Sequence, residues 1–307
     1  MTGLDPKAVV VVPTFRRPAM LRATLQSLAA QEVDFRFAVL VVENDAEGLA
    51  GQEAAFEVFA RERLNGVAIV EARQGNVEAI NAGFAAALER FPHARYILMI
   101  DDDEIASPRW LARMVEAAEV SGAGIVGGPV NPQFEADAPG GMQAHPVFWP
   151  IKAPTGPLPM IYGSGNCLIR RDVFELLGRP AFDPAFNFLG GGDTDFFTRA
   201  RGAGVGFYWQ ADALVTEMVP ADRTQARWVF KRGLRIGAIN RRIDRKSRPA
   251  ALVVAKDVAI LALSPFRFVR ELVRSRSLLL AFHPVNVALG RVLSMGGIET
   301  SQYRAGR

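Results

Sequence analysis

Short apolar runs that stop abruptly at polar residues recur along the first two-thirds of the chain. Ala8 to Val12 are apolar, mostly β-branched, and end at Pro13, which predicts a strand buried on both faces. Pro13-Thr14-Phe15-Arg16-Arg17-Pro18 then reads as a loop, and Met20, Leu21, Leu25 and Leu28 supply one face of a helix. Ala38 to Val42 repeat the strand pattern and end in Glu43-Asn44-Asp45, while Val67 to Val70 make a third, weaker strand. Gln74-Gly75-Asn76 leads into a helix from about Val77 to Glu89. Next comes Tyr96-Ile97-Leu98-Met99-Ile100, which runs straight into Asp101-Asp102-Asp103-Glu104.

Beyond the carboxylates, Ser107-Pro108 opens a helix over Trp110–Val120, and Ile125 to Val130 read as another strand. Residues 131–160 are rich in Pro and Gly, which predicts a long irregular segment able to act as a mobile lid. Small residues in Gly163-Ser164-Gly165-Asn166 suit a close backbone approach. Gly190-Gly191-Gly192-Asp193-Thr194-Asp195 leads into a helix over Phe196–Arg201, and its two aspartates argue against a phosphate at that helix start. Val205 to Trp209 and Ala213 to Thr216 read as closing strands. Strands alternating with helices predict an α/β fold with a mostly parallel sheet flanked by helices. Polar groups at successive strand ends then converge on one edge, the place for a nucleotide pocket.

Composition narrows the chemistry. The 307 residues are half hydrophobic and 22% charged, as in an ordered globular protein. Cys167 is the single cysteine, so no intramolecular disulfide forms and Cys-rich zinc sites are excluded; three scattered histidines argue against catalytic zinc. A carboxylate cluster without Cys or His beside it is a hard-oxygen site suited to Mg²⁺ or Mn²⁺. The alternative is a solvated acidic turn that precedes the next helix.

The segments "VVVPTFRRPAMLRATLQSL", "VLVVEND", "RQGNVEAINAG", "YILMIDDDEIASPRWL", "GSGNCLIRR", "GGGDTDFFTRA" and "RWVFKRGLRIG" together resemble family 2 of the inverting glycosyltransferases, which have the GT-A fold. The resemblance covers roughly residues 7–240. It implies that Asp101, Asp102 and Asp103 form the DxD element, with Asp101 and Asp102 on the nucleotide and Asp103 on the metal. It implies further nucleotide contacts from Pro13, Thr14, Arg16, Asn76 and Glu43. Glu43 departs from the family's usual aspartate, and Asp45 could take that role instead. Asp193 resembles the catalytic base, with Asp195 second; the Glu that often precedes this Asp is Gly192 here. Arg227 and Trp228 match a segment that closes over the diphosphate or the acceptor, and Arg227, Lys231 and Arg235 recur at helical spacing.

The formal charge of +4 hides an asymmetry: Arg223 to Arg276 hold about fifteen Lys/Arg against three Asp/Glu. The expected division is therefore a catalytic domain over 1–222, with a nucleotide-sugar half to about 130 and an acceptor half over 131–222. A basic helical region follows over 223–307. Ala250–Leu263, Phe266–Arg276, Ser277–Phe282 and Val285–Leu293 each read as too short to span a bilayer, yet basic amphipathic helices can lie on an anionic leaflet. The N-terminus shows no signal-peptide core. The expected setting is cytoplasmic, at the cytoplasmic face of the inner membrane, with no nucleic-acid partner. The expected reaction is metal-dependent, inverting transfer from a nucleoside-diphosphate sugar, UDP by family frequency, to a saccharide or lipid-linked hydroxyl. A sugar nucleotidyltransferase would want a Gly-rich loop after the first strand, where Thr14-Phe15-Arg16-Arg17 has no glycine. A non-catalytic binder would lack the base.

Overall fold

Residues 8–14 are buried along their whole length and form β1 (Ala8–Thr14), because a strand flanked by strands and covered on both faces has no polar side to show. The computed structural model describes residues 5–135, 142–148 and 151–296. β1 is followed by α1 (Pro18–Ala29), β2 (Phe37–Glu43), α2 (Ala50–Glu62), β3 (Gly66–Val70), α3 (Asn76–Arg90) and β4 (Tyr96–Met99). β5 (Glu104–Ala106), α4 (Trp110–Ser121), β6 (Ile125–Gly127), β7 (Val130–Phe134) and β8 (Gly156–Leu158) come next. β9 (Cys167–Arg170), α5 (Arg171–Leu177), α6 (Gly192–Gly202), β10 (Phe207–Trp209) and β11 (Val215–Val219) complete this part of the chain.

The described chain divides into two units. The first holds residues up to 131, 151–188 and 192–217. Its sheet has the order β3-β2-β1-β4-β9-β6-β10-β8, with β9 antiparallel to β4 and β6, and β8 antiparallel to β10. The remaining pairings are parallel, so the sheet is mostly parallel as the pattern predicts. Register puts Thr14 beside Glu43 and Val11 beside Met99, so the polar ends of β1, β2 and β4 emerge at one edge. Residues 215–217 of β11 pair antiparallel with β5, bringing Glu217 opposite Glu104.

Several elements differ from the pattern. The helix α2 was not expected; its N-terminal residue Leu49 is left-handed and provides no side-chain cap. Cys167–Arg170 is a strand rather than only a close-approach segment, and the run 125–130 divides into β6 and the start of β7. α6 starts at Gly192, four residues before Phe196, so Asp193 and Asp195 lie in its first turn. In the segment 131–160, residues 136–141 and 149–150 lie outside the described residues; the remainder includes most of β7 and all of β8.

The second unit comprises the described residues of 132–150, 189–191 and 218–307. Three helices dominate it: α7 (Ala226–Ser247), α8 (Ala250–Ser275) and α9 (Leu278–Leu293). The separate runs expected up to Leu263 and from Phe266, and up to Phe282 and from Val285, are continuous, since α8 and α9 run through Pro265 and Pro284. Pro265 has no N–H for the Leu261 carbonyl, and the Ser264 hydroxyl donates to that carbonyl instead, at 2.8 Å. Because the two C-terminal runs fuse, Leu278–Gly296 is long and apolar enough to cross a membrane by length and composition, with a mean hydropathy of 1.4. That corrects the expectation of segments too short to span. α9 nevertheless packs on both α7 and α8, and a β-carbon on Gly290 would collide with the Leu234 backbone of α7.

Candidate active site

The sheet edge carries a carboxylate cluster built by local backbone geometry. Beyond β4 the chain turns, the Glu104 amide donating to the Asp101 carbonyl at 3.2 Å. The Glu104 side chain folds back to accept the Asp101 N–H at 2.9 Å. Gly165 lies against the pair: a β-carbon there would sit 2.5 Å from Glu104 Oε1 and 2.9 Å from Asp101 Oδ2. Burial, then the charges of Asp103, Asp102, Glu217 and Asp193, push the Asp101 carboxyl well above the ordinary range. Burial and the neighbouring Asp101 do the same to Glu104. Asp193 is therefore close enough for its charge to act on Asp101.

The Arg17 guanidinium offsets part of this charge. Arg17, at the start of α1, places Nη1 2.7 Å from Asp103 and 3.3 Å from Asp102. Asp102 also accepts the Thr14 hydroxyl at 2.8 Å, and its carbonyl accepts the Thr24 hydroxyl at 3.0 Å. Thr14 and Asp102 thus brace each other across neighbouring strand ends. Burial outweighs the opposing pull of Arg17 and raises Asp102 to about 6. The folded protein then holds a proton that the unfolded chain releases near 3.9, so stability falls as pH rises through that window, by at most about 3 kcal/mol. Melting scans should show the Asp102→Asn variant gaining on the wild type between pH 4 and 6. An equal separation at all pH values would remove Asp102 from this role.

The second cluster surrounds the end of β2. Glu43 is fully buried; it accepts the Asp45 N–H at 2.8 Å, the Gly51 N–H at 2.6 Å and the Gln52 N–H at 3.2 Å. It is the cap that α2 lacks locally, and both its oxygens are engaged by backbone. Asp45 is bound instead to Arg16, whose Nε lies 2.8 Å away. Pro13 is buried within β1 opposite Val42. Asn44, which sequence reasoning did not single out, donates to the Glu71 and Arg73 carbonyls and accepts the Gly75 N–H at 2.7 Å. Gly75 has φ 134°, and a β-carbon there would strike the Asn187 carboxamide. Asn187 accepts the Val77 N–H at the start of α3, beside the half-buried Asn76.

The acidic start of α6 separates two roles. Asp193 accepts the Thr194 N–H at 2.7 Å and stays partly exposed. Asp195 is buried and ion-paired with Arg199 at 3.0 Å. Gly192 is buried where a β-carbon would press on Phe182 and Val77 at 3.1 Å, so a larger residue there needs both side chains to shift. Arg227 and Trp228 belong to the second unit, where Trp228 stacks on Phe148 with centroids 5.8 Å apart. Arg235 is buried while Arg227 and Lys231 are exposed, so the three do not share one environment. Asn166, also not anticipated, accepts the Trp110 indole N–H and donates to the Pro129 and Ala213 carbonyls.

The donor set is all oxygen, which fits Mg²⁺ or Mn²⁺. Among the described residues no three metal-binding side chains converge on one point. The sequence matches the family model described as "Glycosyl transferase family 2" over residues 9–178. The chain belongs to glycosyl transferase family 2. This makes it a glycosyltransferase. It is 36% identical over 241 residues to the succinoglycan biosynthesis protein ExoM of Rhizobium meliloti, covering 76% of this chain and 73% of that one. S. aureus TarS 1–349 in complex with UDP-GlcNAc superposes with a TM-score of 0.51 at 14% identity, covering 95% of this chain and 92% of that one. The mannosyltransferase PcManGT of Pyrobaculum calidifontis, in complex with GDP-Man and Mn²⁺, gives 0.57 at 17% identity, covering 95% and 88%. These likenesses establish the GT-A-type fold of this family 2 member.

Proposed function

We propose that the protein transfers a sugar, with inversion and with a divalent cation, from a nucleoside-diphosphate sugar to an acceptor hydroxyl in cell-surface polysaccharide synthesis. The observation that carries the reading is the carboxylate cluster in the turn between β4 and β5, with the carboxylate of Asp193 within electrostatic reach. The relative ExoM supports the polysaccharide setting, and the nucleotide-sugar complexes of TarS and PcManGT support the donor class. In this reading Asp103 is the metal ligand, Asp101 and Asp102 orient the nucleotide, and Thr14 fixes Asp102. Asp193 takes the acceptor proton as that oxygen attacks the anomeric carbon from the face opposite the leaving diphosphate. When bound, the cation neutralises the charge that the departing diphosphate gains.

The test is thermal stability with UDP, GDP, CDP and ADP, each with Mn²⁺ or with EDTA. A ligand bound at a hundred times its Kd raises stability by about 2.7 kcal/mol. One diphosphate should stabilise the wild type only with Mn²⁺, and the Asp103→Ala variant should lose that shift. Equal stabilisation with EDTA would overturn the metal assignment. No shift with any of the four would remove the nucleotide site.

A further inference from the structure

The helix α8 lies in the second unit with one face against its neighbours and the other bare. Val253, Asp257 and Ser264 are buried on the inner face. Asp257 accepts Arg241 at 2.8 Å and Arg291 at 2.6 Å there, which fixes the helix's rotation. The outward face is apolar without interruption: every exposed position from 250 to 266 is Ala, Leu, Val, Pro or Phe. Val258, Phe266 and Val273 are 60%, 68% and 74% exposed. With Val269 they recur near helical spacing and form a single ridge. At 1.5 Å per residue the 26-residue helix is about 39 Å long.

Such a ridge is costly in water and marks a surface that something covers. The charges beside it say what. Arg267, Arg270, Arg274 and Arg276 are all exposed around the C-terminal half of α8. The helix's two acids are not available to answer them: Asp257 is buried, and Glu271 is held by Arg274 at 3.0 Å. A second copy of this helix would bring more arginines and no free carboxylate. An anionic lipid surface brings both an apolar layer and counter-charge.

We infer that α8 is an in-plane membrane anchor, its ridge from Leu252 to Val273 entering the headgroup boundary of an anionic leaflet while the arginines meet lipid phosphates. The helix lies along the membrane rather than across it, because its other face carries Asp257 in ion pairs that hold α7 and α9.

The full-length protein is sedimented with vesicles of phosphatidylcholine alone or mixed with phosphatidylglycerol. The wild type should pellet with the mixed vesicles, less so as salt rises, and stay in solution with phosphatidylcholine alone. The Arg267→Glu/Arg270→Glu/Arg274→Glu variant should lose at least about a hundredfold in partitioning. Val258→Glu/Phe266→Glu/Val269→Glu should abolish binding with unchanged melting, since all three side chains are already exposed. A wild type that remains in solution at low salt overturns the inference, as does a ridge variant that still pellets. A concentration-dependent dimer that the ridge variant dissociates would give the face to a second copy instead.

Discussion

Replacing Asp193 by Asn should lower turnover by about 10²- to 10⁴-fold, the range for a positioned general base. The carboxamide keeps the size of the side chain and an oxygen for the Thr194 N–H, so α6 should start as before. Metal-dependent stabilisation by the nucleotide should survive, because Asp193 serves the acceptor in the proposed reaction. Asp195→Asn is the matched control. Its carboxylate is buried against Arg199, so that variant should lose stability before it loses chemistry. The measurement is kcat with the donor that the thermal scan identifies, alongside melting of both variants. Near-normal turnover in Asp193→Asn with a dead but well-folded Asp195→Asn would move the base to Asp195.

The largest effect on stability is expected in the second unit. Arg291 is 2% exposed and binds Asp257 at 2.6 Å and Asp244 at 2.8 Å, tying α9 to both α7 and α8. Against the upward push of burial, bonds from Lys256 and Arg291 hold Asp244 below the ordinary carboxylate range. Arg291→Met keeps the apolar stem but leaves buried negative charge short of a partner, which costs about 3–5 kcal/mol. Arg113→Met removes only a surface contact to Glu116 at 3.1 Å and should change stability by less than about 1 kcal/mol. Urea denaturation of the two variants gives the comparison. Equal midpoints would mean that the buried network is not what holds the three helices.

What could be read from the sequence depended on where each element's partners lie. β1, β2 and β4 were legible because a strand buried on both faces is a continuous apolar run, and the carboxylates stand out directly after one of them. The helix α2 was hidden because its cap, Glu43, comes from the preceding strand rather than from its own first residues. Arg17 was visible as a cation, but its partner Asp103 is 86 residues further on. Asn44, Asn166 and Asn187 bind backbone groups of distant loops, and no spacing announces that. The C-terminal runs were read as shorter than the helices they form; in α8 the Ser264 hydroxyl supplies the donor that Pro265 lacks, a substitution that no apolar pattern shows.

The position of Glu43 bears on any attempt to redesign donor choice. A residue that looks like the natural lever for changing the base is also the keystone for three amides at positions 45, 51 and 52. Substituting it strands those donors, each worth about 1–3 kcal/mol when left unmet. A library randomised at this position would be sorted by folding before it could be sorted by donor. Arg73 and Gln74 carry no such duty to α2: Asn44 holds the Glu71 and Arg73 carbonyls from the side and leaves the side chains of Arg73 and Gln74 exposed.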